Sequence, residues 1–282
     1  GTIEKLKKAD GVCLTEYIKM SDFYDLIEEG HADLKAGNKS YLDEPPLPDD
    51  IATIVFTSGT TGKSKGVMLS HKNIMTSAVS SARLIQGHHA IGFLPMNHTF
   101  AWASALFLVN VFTGWGYICR SLKDIPQDMK KYHPQNIAGV PLLIETIYKT
   151  VWRTAEKTGR ADKLRKGIKL SNFLRKFGID VRRKLFKQVI DGLGGELEYI
   201  VIGGAYLDPV YEKGLSDLGI EVFNGYGTTE CSPGITISTY ENYKFGSCGK
   251  PMGCEIKIKN PDEDGIGEIC VKGDNVMVGY FE

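Results

Sequence analysis

The sequence has no long apolar run. Its longest apolar stretch, Phe100 to Phe112, is broken by Ser104 and Asn110, and it falls short of the roughly 20 residues that a membrane-spanning helix needs. No transmembrane segment is therefore expected. It also has no CxxC pair. The six cysteines (Cys13, Cys119, Cys231, Cys248, Cys254 and Cys270) match no zinc spacing, and they read as reduced thiols of a cytosolic protein rather than a disulfide framework. There is no charge excess either, with 34 Lys+Arg against 34 Asp+Glu. That balance excludes a uniformly basic chain binding nucleic acid by bulk electrostatics, so no nucleic-acid partner is expected, but it leaves room for a local patch. The start, Gly1-Thr2-Ile3-Glu4-Lys5, has neither a signal-peptide core nor an initiator Met, which suggests a cut or processed start.

What is present is globular: 282 residues, 42% hydrophobic, with 32 glycines and no G-X-Y period. Residues 1 to 50 hold 12 acidic and 6 basic residues and end in a connector, Asp43 to Asp50, where three prolines forbid helix. Ile51 to Thr57 then reads as a buried strand, β-branched and uncharged. Beyond the glycine-rich turn at 58–66 and Val67-Met68-Leu69, Ser70 is placed to cap a helix running to about Leu84. Ala90 to Leu94, Tyr117 to Cys119 and Asn136 to Val140 read as strands, Thr99 to Phe112 as a buried helix, and a further helix starts near Leu142. Alternating strands and helices favour an α/β fold with mostly parallel strands. From about residue 240 the texture changes to a small antiparallel unit, Glu255–Lys259 and Gly267–Lys272 joined by a turn at Asn260–Gly265.

Residues 149 to 187 carry 14 basic and only 3 acidic residues. Two readings stand side by side: a solvated helical surface, or contact with an anionic membrane or phosphorylated cofactor. The second rests on Val181, Leu185, Phe186 and Val189, which recur at helical spacing opposite the charges.

Thr57-Ser58-Gly59-Thr60-Thr61-Gly62-Lys63-Ser64-Lys65-Gly66 follows a strand directly. Its glycines allow backbone N–H groups to approach an anion, its hydroxyls donate and its lysines supply charge, so a nucleotide phosphate is the natural ligand. Gly62-Lys63-Ser64 imitates the end of a Walker A motif, but Thr57 stands where that motif requires glycine.

These residues resemble the signature of the adenylate-forming, AMP-binding superfamily, which comprises acyl-CoA synthetases, luciferases and peptide-synthetase adenylation domains. Ser64 replaces the usual proline. Further blocks follow in the family's order: Leu94 to Phe100, Gly203 to Leu207, Asn224-Gly225-Tyr226-Gly227-Thr228-Thr229-Glu230, Gly246 to Pro251, and Gly267 to Tyr280. His98-Thr99-Phe100 and Arg182 to Phe186 are similar to the long-chain fatty acid ligase branch.

The resemblance implies a layered α/β/α/β/α core with the start of a small antiparallel β-barrel. It divides the chain into the remainder of a first α/β subdomain (1–85), a second (86–239) and part of the barrel (240–282). It also implies that a carboxylic acid, probed best as a fatty acid, is activated by ATP to an acyl-AMP and passed to coenzyme A. Thr57, Ser58, Gly59, Thr60, Thr61, Gly62, Lys63 and Lys65 would hold the phosphates, and Gly203, Gly204, Ala205, Asn224, Gly225, Tyr226, Gly227, Thr228 and Thr229 the rest of ATP or AMP. In this reading Tyr226 stacks on adenine, Thr229 touches the α-phosphate, Glu230 coordinates Mg²⁺ and His98 lies near the substrate carboxylate. Thr60, Lys65, His98, Thr229 and Glu230 form the catalytic set. Trp102, Leu106, Phe107 and Leu108 line an acyl tunnel or pack the core, and the sequence does not separate the two. The family's later T-G-D block and catalytic lysine are not found before Glu282, so the chain is expected to be a section of a longer ligase, with little adenylation by itself. An adenylation domain, a luciferase-like enzyme and a non-catalytic nucleotide-binding module remain as alternatives.

Overall fold

A computed structural model describes residues 20–40, 45–57, 64–84, 89–103, 115–119, 121 and 123–281. The chain forms two compact units, Gly1–Leu47 and Pro48–Glu282, with the division inside the proline-rich connector. The first unit contains helix α1 (Met20–Lys35).

In the second unit, β1 (Ile51–Thr57) and β2 (Lys65–Ser70) form an antiparallel hairpin, and α2 (His71–Leu84) follows without a break. Ser70 caps that helix as its position predicts. The Asn73 N–H donates to Ser70 Oγ at 3.2 Å and the Ser70 N–H donates to Asn73 Oδ1 at 2.8 Å, so the exchange satisfies a backbone donor that a helix start leaves unpaired. Next come β3 (His89–Gly92), helical residues 99–103, β4 (Trp115–Ile118), α3 (Ile125–Tyr132), β5 (Asn136–Gly139) and α4 (Pro141–Lys157). Helices α5 (Ala161–Arg175), α6 (Arg182–Leu185) and α7 (Lys187–Gly192) lead to β6 (Tyr199–Ile202), α8 (Pro209–Ser216) and β7 (Glu221–Gly227). After a 3₁₀ turn at Thr229–Cys231, the remaining elements are β8 (Gly234–Ile237), β9 (Lys250–Pro251), β10 (Glu255–Lys259), β11 (Glu268–Lys272) and β12 (Gly279–Phe281).

The α/β expectation holds. A seven-stranded sheet runs β4-β3-β5-β6-β7-β8-β9, parallel through β7 and antiparallel beyond it. Ile137, Ile200, Ile202 and Val222 are fully buried in it, each worth roughly 1.5–3 kcal/mol over an exposed position. Strands covered on both faces must read as continuous Ile/Val runs, which is how β6 reads.

Two expectations need correction. The strand at Ile51–Thr57 is present but not buried: Phe56 is 65% exposed and Ile54 37%. It is the outer strand of an antiparallel sheet ordered β1-β2-β12, and only its Val55 side packs on Val67, Leu69 and Ile74. An uncharged β-branched run predicts a strand well; it does not reveal that only one face is covered. The antiparallel unit expected near the end of the sequence is present: β10 and β11 pair around the Asn260–Gly265 turn as a two-stranded ribbon, and no closed barrel occurs among the described residues.

The second correction concerns 181–189. These residues do not form one amphipathic helix: the chain breaks between α6 and α7, and Phe186 is buried in the main core. Arg182, counted among the surface charges, is only 11% exposed at its side chain. It binds Asp180 at 2.7 Å, Glu221 at 2.6 Å and the Ser216 carbonyl at 2.6 Å, tying α6 to the end of α8 and the start of β7. Burial opposes its charge, but the two carboxylates more than offset that and raise its pKa.

Candidate functional site

The base of the phosphate loop is closed by the β-hairpin. Thr57 pairs with Lys65 across the strands, and Ser64 Oγ donates to the Thr57 carbonyl at 3.2 Å. Ser58, Gly59, Thr60, Thr61, Gly62 and Lys63 lie outside the described residues. What the structure adds is where the loop's exit leads. Lys65 Nζ sits 5.1 Å from the centre of the Tyr280 ring, and the Tyr280 hydroxyl donates to Glu230 Oε1 at 2.9 Å. Lys65 and Glu230, 165 positions apart in sequence, are thus joined by one side chain, the lysine over the Tyr280 ring and the glutamate at its hydroxyl.

That meeting is held from several directions. The Met277 N–H donates to the Glu230 carbonyl at 2.8 Å, the Val278 N–H to the Met68 carbonyl at 3.0 Å, and Asn73 Nδ2 to the carbonyls of Asp274 and Val276, each at 2.9 Å. Asn275, fully buried, donates to the Gly234 carbonyl at 2.7 Å. Residues 274–281 therefore strap the end of the chain across β2 and the turn bearing Glu230. The hydrogen bond to Glu230 raises the pKa of the Tyr280 hydroxyl, which stays protonated as a donor.

A second part of the site lies past the carboxyl ends of β6 and β7, where open α/β sheets bind ligands. The Gly203 N–H donates to the Gly139 carbonyl at 3.3 Å, and Gly204 adopts φ +83°, a conformation that suits glycine. A side chain at Gly203 would have its first carbon 3.4 Å from the Gly225 carbonyl and 3.9 Å from the Phe100 ring. Three blocks far apart in sequence, at 98–100, 203–205 and 224–230, thus share one end of the sheet. Gly204 and Ala205 are exposed there, Asn224 is buried, and Tyr226 is a 38% exposed aromatic rather than a core one.

Gly225-Tyr226-Gly227 is not the turn its glycines suggest. All three residues belong to β7 and pair with β8, and the reversal comes later, at 228–233. The glycines serve close backbone approach: a Cβ on Gly227 would lie 1.9 Å from the Pro233 carbonyl oxygen. Thr228 and Thr229 follow at the reversal, half-buried beside Glu230.

His98 is exposed in a turn closed by its N–H donating to the Pro95 carbonyl at 3.1 Å, and its own carbonyl accepts from the Ala101 N–H at 3.0 Å as helix begins. Trp102 packs against the Val67, Leu69 and Ile74 cluster, which assigns it to the core; Leu106, Phe107 and Leu108 lie outside the described residues. Burial pushes the thiols of Cys231, Cys248 and Cys254 upward and that of Cys119 up to about 12, so none of these four is a poised nucleophile. Sequence reasoning quoted Tyr280 only as a motif end and missed Phe100 and Asn275 as site-building residues. Their partners lie tens to hundreds of positions away, and no local pattern signals them.

The match to known proteins decides the family. Residues 2–281 match the AMP-binding enzyme family. The chain belongs to it. Among relatives of this family, Long-chain-fatty-acid--CoA ligase 6 of Mus musculus is 31% identical over 84% of the chain and 37% of its own length. Fatty acyl-CoA synthetase A of Dictyostelium discoideum is 27% identical over 100% of the chain and 43% of its own length. The structure of O-succinylbenzoate coenzyme A synthetase of Bacillus subtilis with ATP and magnesium superposes with TM-score 0.60 and 27% identity, covering 84% of the chain and 44% of that protein. The chain thus spans less than half the length of these AMP-binding relatives.

Proposed function

We propose that this chain is the nucleotide-binding section of an acid–thiol ligase that activates a carboxylic acid, of the fatty acid class, with ATP and transfers the acyl group to coenzyme A. The observation that carries this reading is the Lys65–Tyr280–Glu230 arrangement. A cation at the exit of a phosphate loop lies over the Tyr280 ring, and a carboxylate suited to a hard metal accepts from that ring's hydroxyl.

The donor set fits Mg²⁺ held together with a nucleotide. Glu230 uses Oε1 for Tyr280 and has Oε2 without a hydrogen bond among the described residues, where no cluster of three or more metal-binding side chains occurs. One carboxylate is what Mg²⁺ uses when substrate phosphates supply its other oxygens. Bound there, Mg²⁺ would neutralise charge on the phosphates.

In this reading Lys65, with the loop residues Ser58, Thr60, Thr61 and Gly62, binds the β- and γ-phosphates. Thr229 orients the α-phosphate. Tyr226 lies against adenine, with Gly204 and Ala205 leaving backbone exposed for it and the buried Gly203 adding no side chain between them. His98 approaches the acid's carboxylate. The carboxylate oxygen attacks the α-phosphorus, the bond to the β-phosphate bridging oxygen breaks, and pyrophosphate leaves; the coenzyme A thiol then displaces AMP from the acyl carbon. All partners in the first step are anions, so charge neutralisation and alignment carry the catalysis.

The test is AMP formation by the longer protein containing this chain, with ATP, coenzyme A and a panel of fatty and aryl acids. Fatty-acid-dependent AMP and acyl-CoA are expected. AMP with amino acids alone would move the reading to an adenylation domain. No AMP with any acid would reduce it to a nucleotide-binding module.

A further inference from the structure

Within the basic stretch at 149–187, α5 and the turn after it carry cations that are largely without ion pairs among the described residues. Between Lys163 and Ile179 there are six basic residues (Lys163, Arg165, Lys166, Lys169, Arg175 and Lys176) and no acidic one. All six are exposed, and of them only Arg165 has an ion-pair partner among the described residues, Asp162 at 2.9 Å. Leu164, Ile168 and Leu174 form the inward side, with Leu164 and Ile168 packed on the main core. The opposite side carries Lys166, Lys169 and Phe173 at helical spacing. Phe173 is 57% exposed and Phe177 68%, their rings edge-to-face at 5.2 Å, and Leu170 and Ile179 beside them are more than half exposed.

Exposed apolar groups of this size on a helical segment whose cations are largely unpaired make a two-part surface: a wedge that prefers hydrocarbon and a set of cations that prefers anions. We propose that α5 and residues 176–179 form a docking face for an anionic lipid surface, with Phe173, Phe177, Leu170 and Ile179 entering the acyl boundary and the lysines meeting headgroup phosphates. The charge selects this occupant. A second copy of the chain would bring an equal cluster of cations against the first, which is repulsive. The aliphatic Leu170 and Ile179 offer nothing for nucleic-acid bases to stack on, and the two phenyl rings are engaged with each other.

A shallow hollow of about 450 Å³ flanks the face, lined by Asn172, Arg175, Lys176, Lys213, Asp217 and Phe245. Lys213 and Asn172 already hold Asp217, at 2.6 and 3.1 Å, which leaves Arg175 and Lys176 to receive a headgroup phosphate. No helix among the described residues is long and apolar enough to cross a membrane, so the contact is one of lying on the surface. This inference is independent of the ligase reading.

The test is co-sedimentation of the chain with phosphatidylcholine vesicles and with vesicles carrying about 30 mol% phosphatidylserine. Binding to the anionic vesicles alone is expected, weakening as NaCl rises from about 0.1 to 0.5 M. The triple variant Lys166→Gln/Lys169→Gln/Lys176→Gln is expected to lower the partition coefficient roughly a hundredfold. Phe173→Ser/Phe177→Ser should lower it about tenfold or more with little change in melting temperature, since both rings are more than half exposed. Equal binding to both vesicle types, no binding, or either variant binding like the parent would overturn the proposal. So would poly(U) binding without vesicle binding, or a dimer that the phenylalanine variant dissolves.

Discussion

Replacing Gly227 by alanine tests the geometry on which the site depends. The added Cβ would lie 1.9 Å from the Pro233 oxygen and 2.9 Å from its carbonyl carbon, both backbone atoms in the segment leading into β8. Restoring ordinary contact requires the β7 and β8 backbones to separate by about 1.5 Å, and no side-chain rotation can absorb that. The same movement breaks the bond from the Thr228 N–H to the Pro233 carbonyl, now 3.0 Å. Overpacking costs about 1–3 kcal/mol and the lost backbone bond about 1, giving about 2–4 kcal/mol. At about 2 °C per kcal/mol for a chain of this size, the midpoint of thermal unfolding should fall by about 4–8 °C. The matched control is Gly92→Ala in β3, where a Cβ meets nothing within 4 Å and φ is not left-handed. That change should be neutral or raise the midpoint by about 1–2 °C through reduced chain entropy. Circular dichroism melts of the three proteins decide the matter. If Gly227→Ala melts within about 2 °C of the parent, the close approach of β7 to Pro233 is wrong, and the placement of Thr228, Thr229 and Glu230 goes with it.

Other outcomes follow from the same structure. Glu230→Ala in the longer enzyme should cut turnover by about two orders of magnitude or more through loss of the metal ligand, and unchanged AMP formation would remove Glu230 from the site. Tyr280→Phe keeps the ring beside Lys65 but deletes the bond to Glu230; turnover should fall about tenfold with little loss of stability, because the hydroxyl is largely exposed. Arg182→Ala leaves Glu221 and Ser216 without their buried partner and should cost about 3 kcal/mol in urea unfolding. The Arg182 hydrogen bond holds the Asp180 carboxyl down at about 2, below its ordinary 3.8. Its contribution is therefore present above pH 3.8 and lost as pH falls through about 2, so Asp180→Asn should be less stable than the parent at pH 6 and equal to it near pH 2. With Asp180 half exposed, the difference at pH 6 should be no more than about 1 kcal/mol.

Local pattern in the sequence determined much of this protein. The Ile/Val run of β6, the Ser70 cap, the turn at Asn260–Gly265 and the alternation of strands and helices each depend on neighbours within a few positions, and each was legible. So was the phosphate-loop signature, because one short segment supplies all of its glycines, hydroxyls and lysines. Tertiary structure alone decided the rest. Which face of β1 is covered depends on where β2 and β12 lie, so an apolar strand turned out to be an exposed edge. Gly225 and Gly227 looked like a turn because glycine has two uses, positive φ and close approach, and only the β7–β8 pairing shows that the second applies. Arg182 and Lys166 are indistinguishable as members of a basic stretch; burial between two carboxylates makes one a structural clamp, and exposure on α5 leaves the other without an ion pair among the described residues. Tyr280 joins Lys65 to Glu230 across 215 and 50 positions of chain, a relation that no spacing in the sequence encodes.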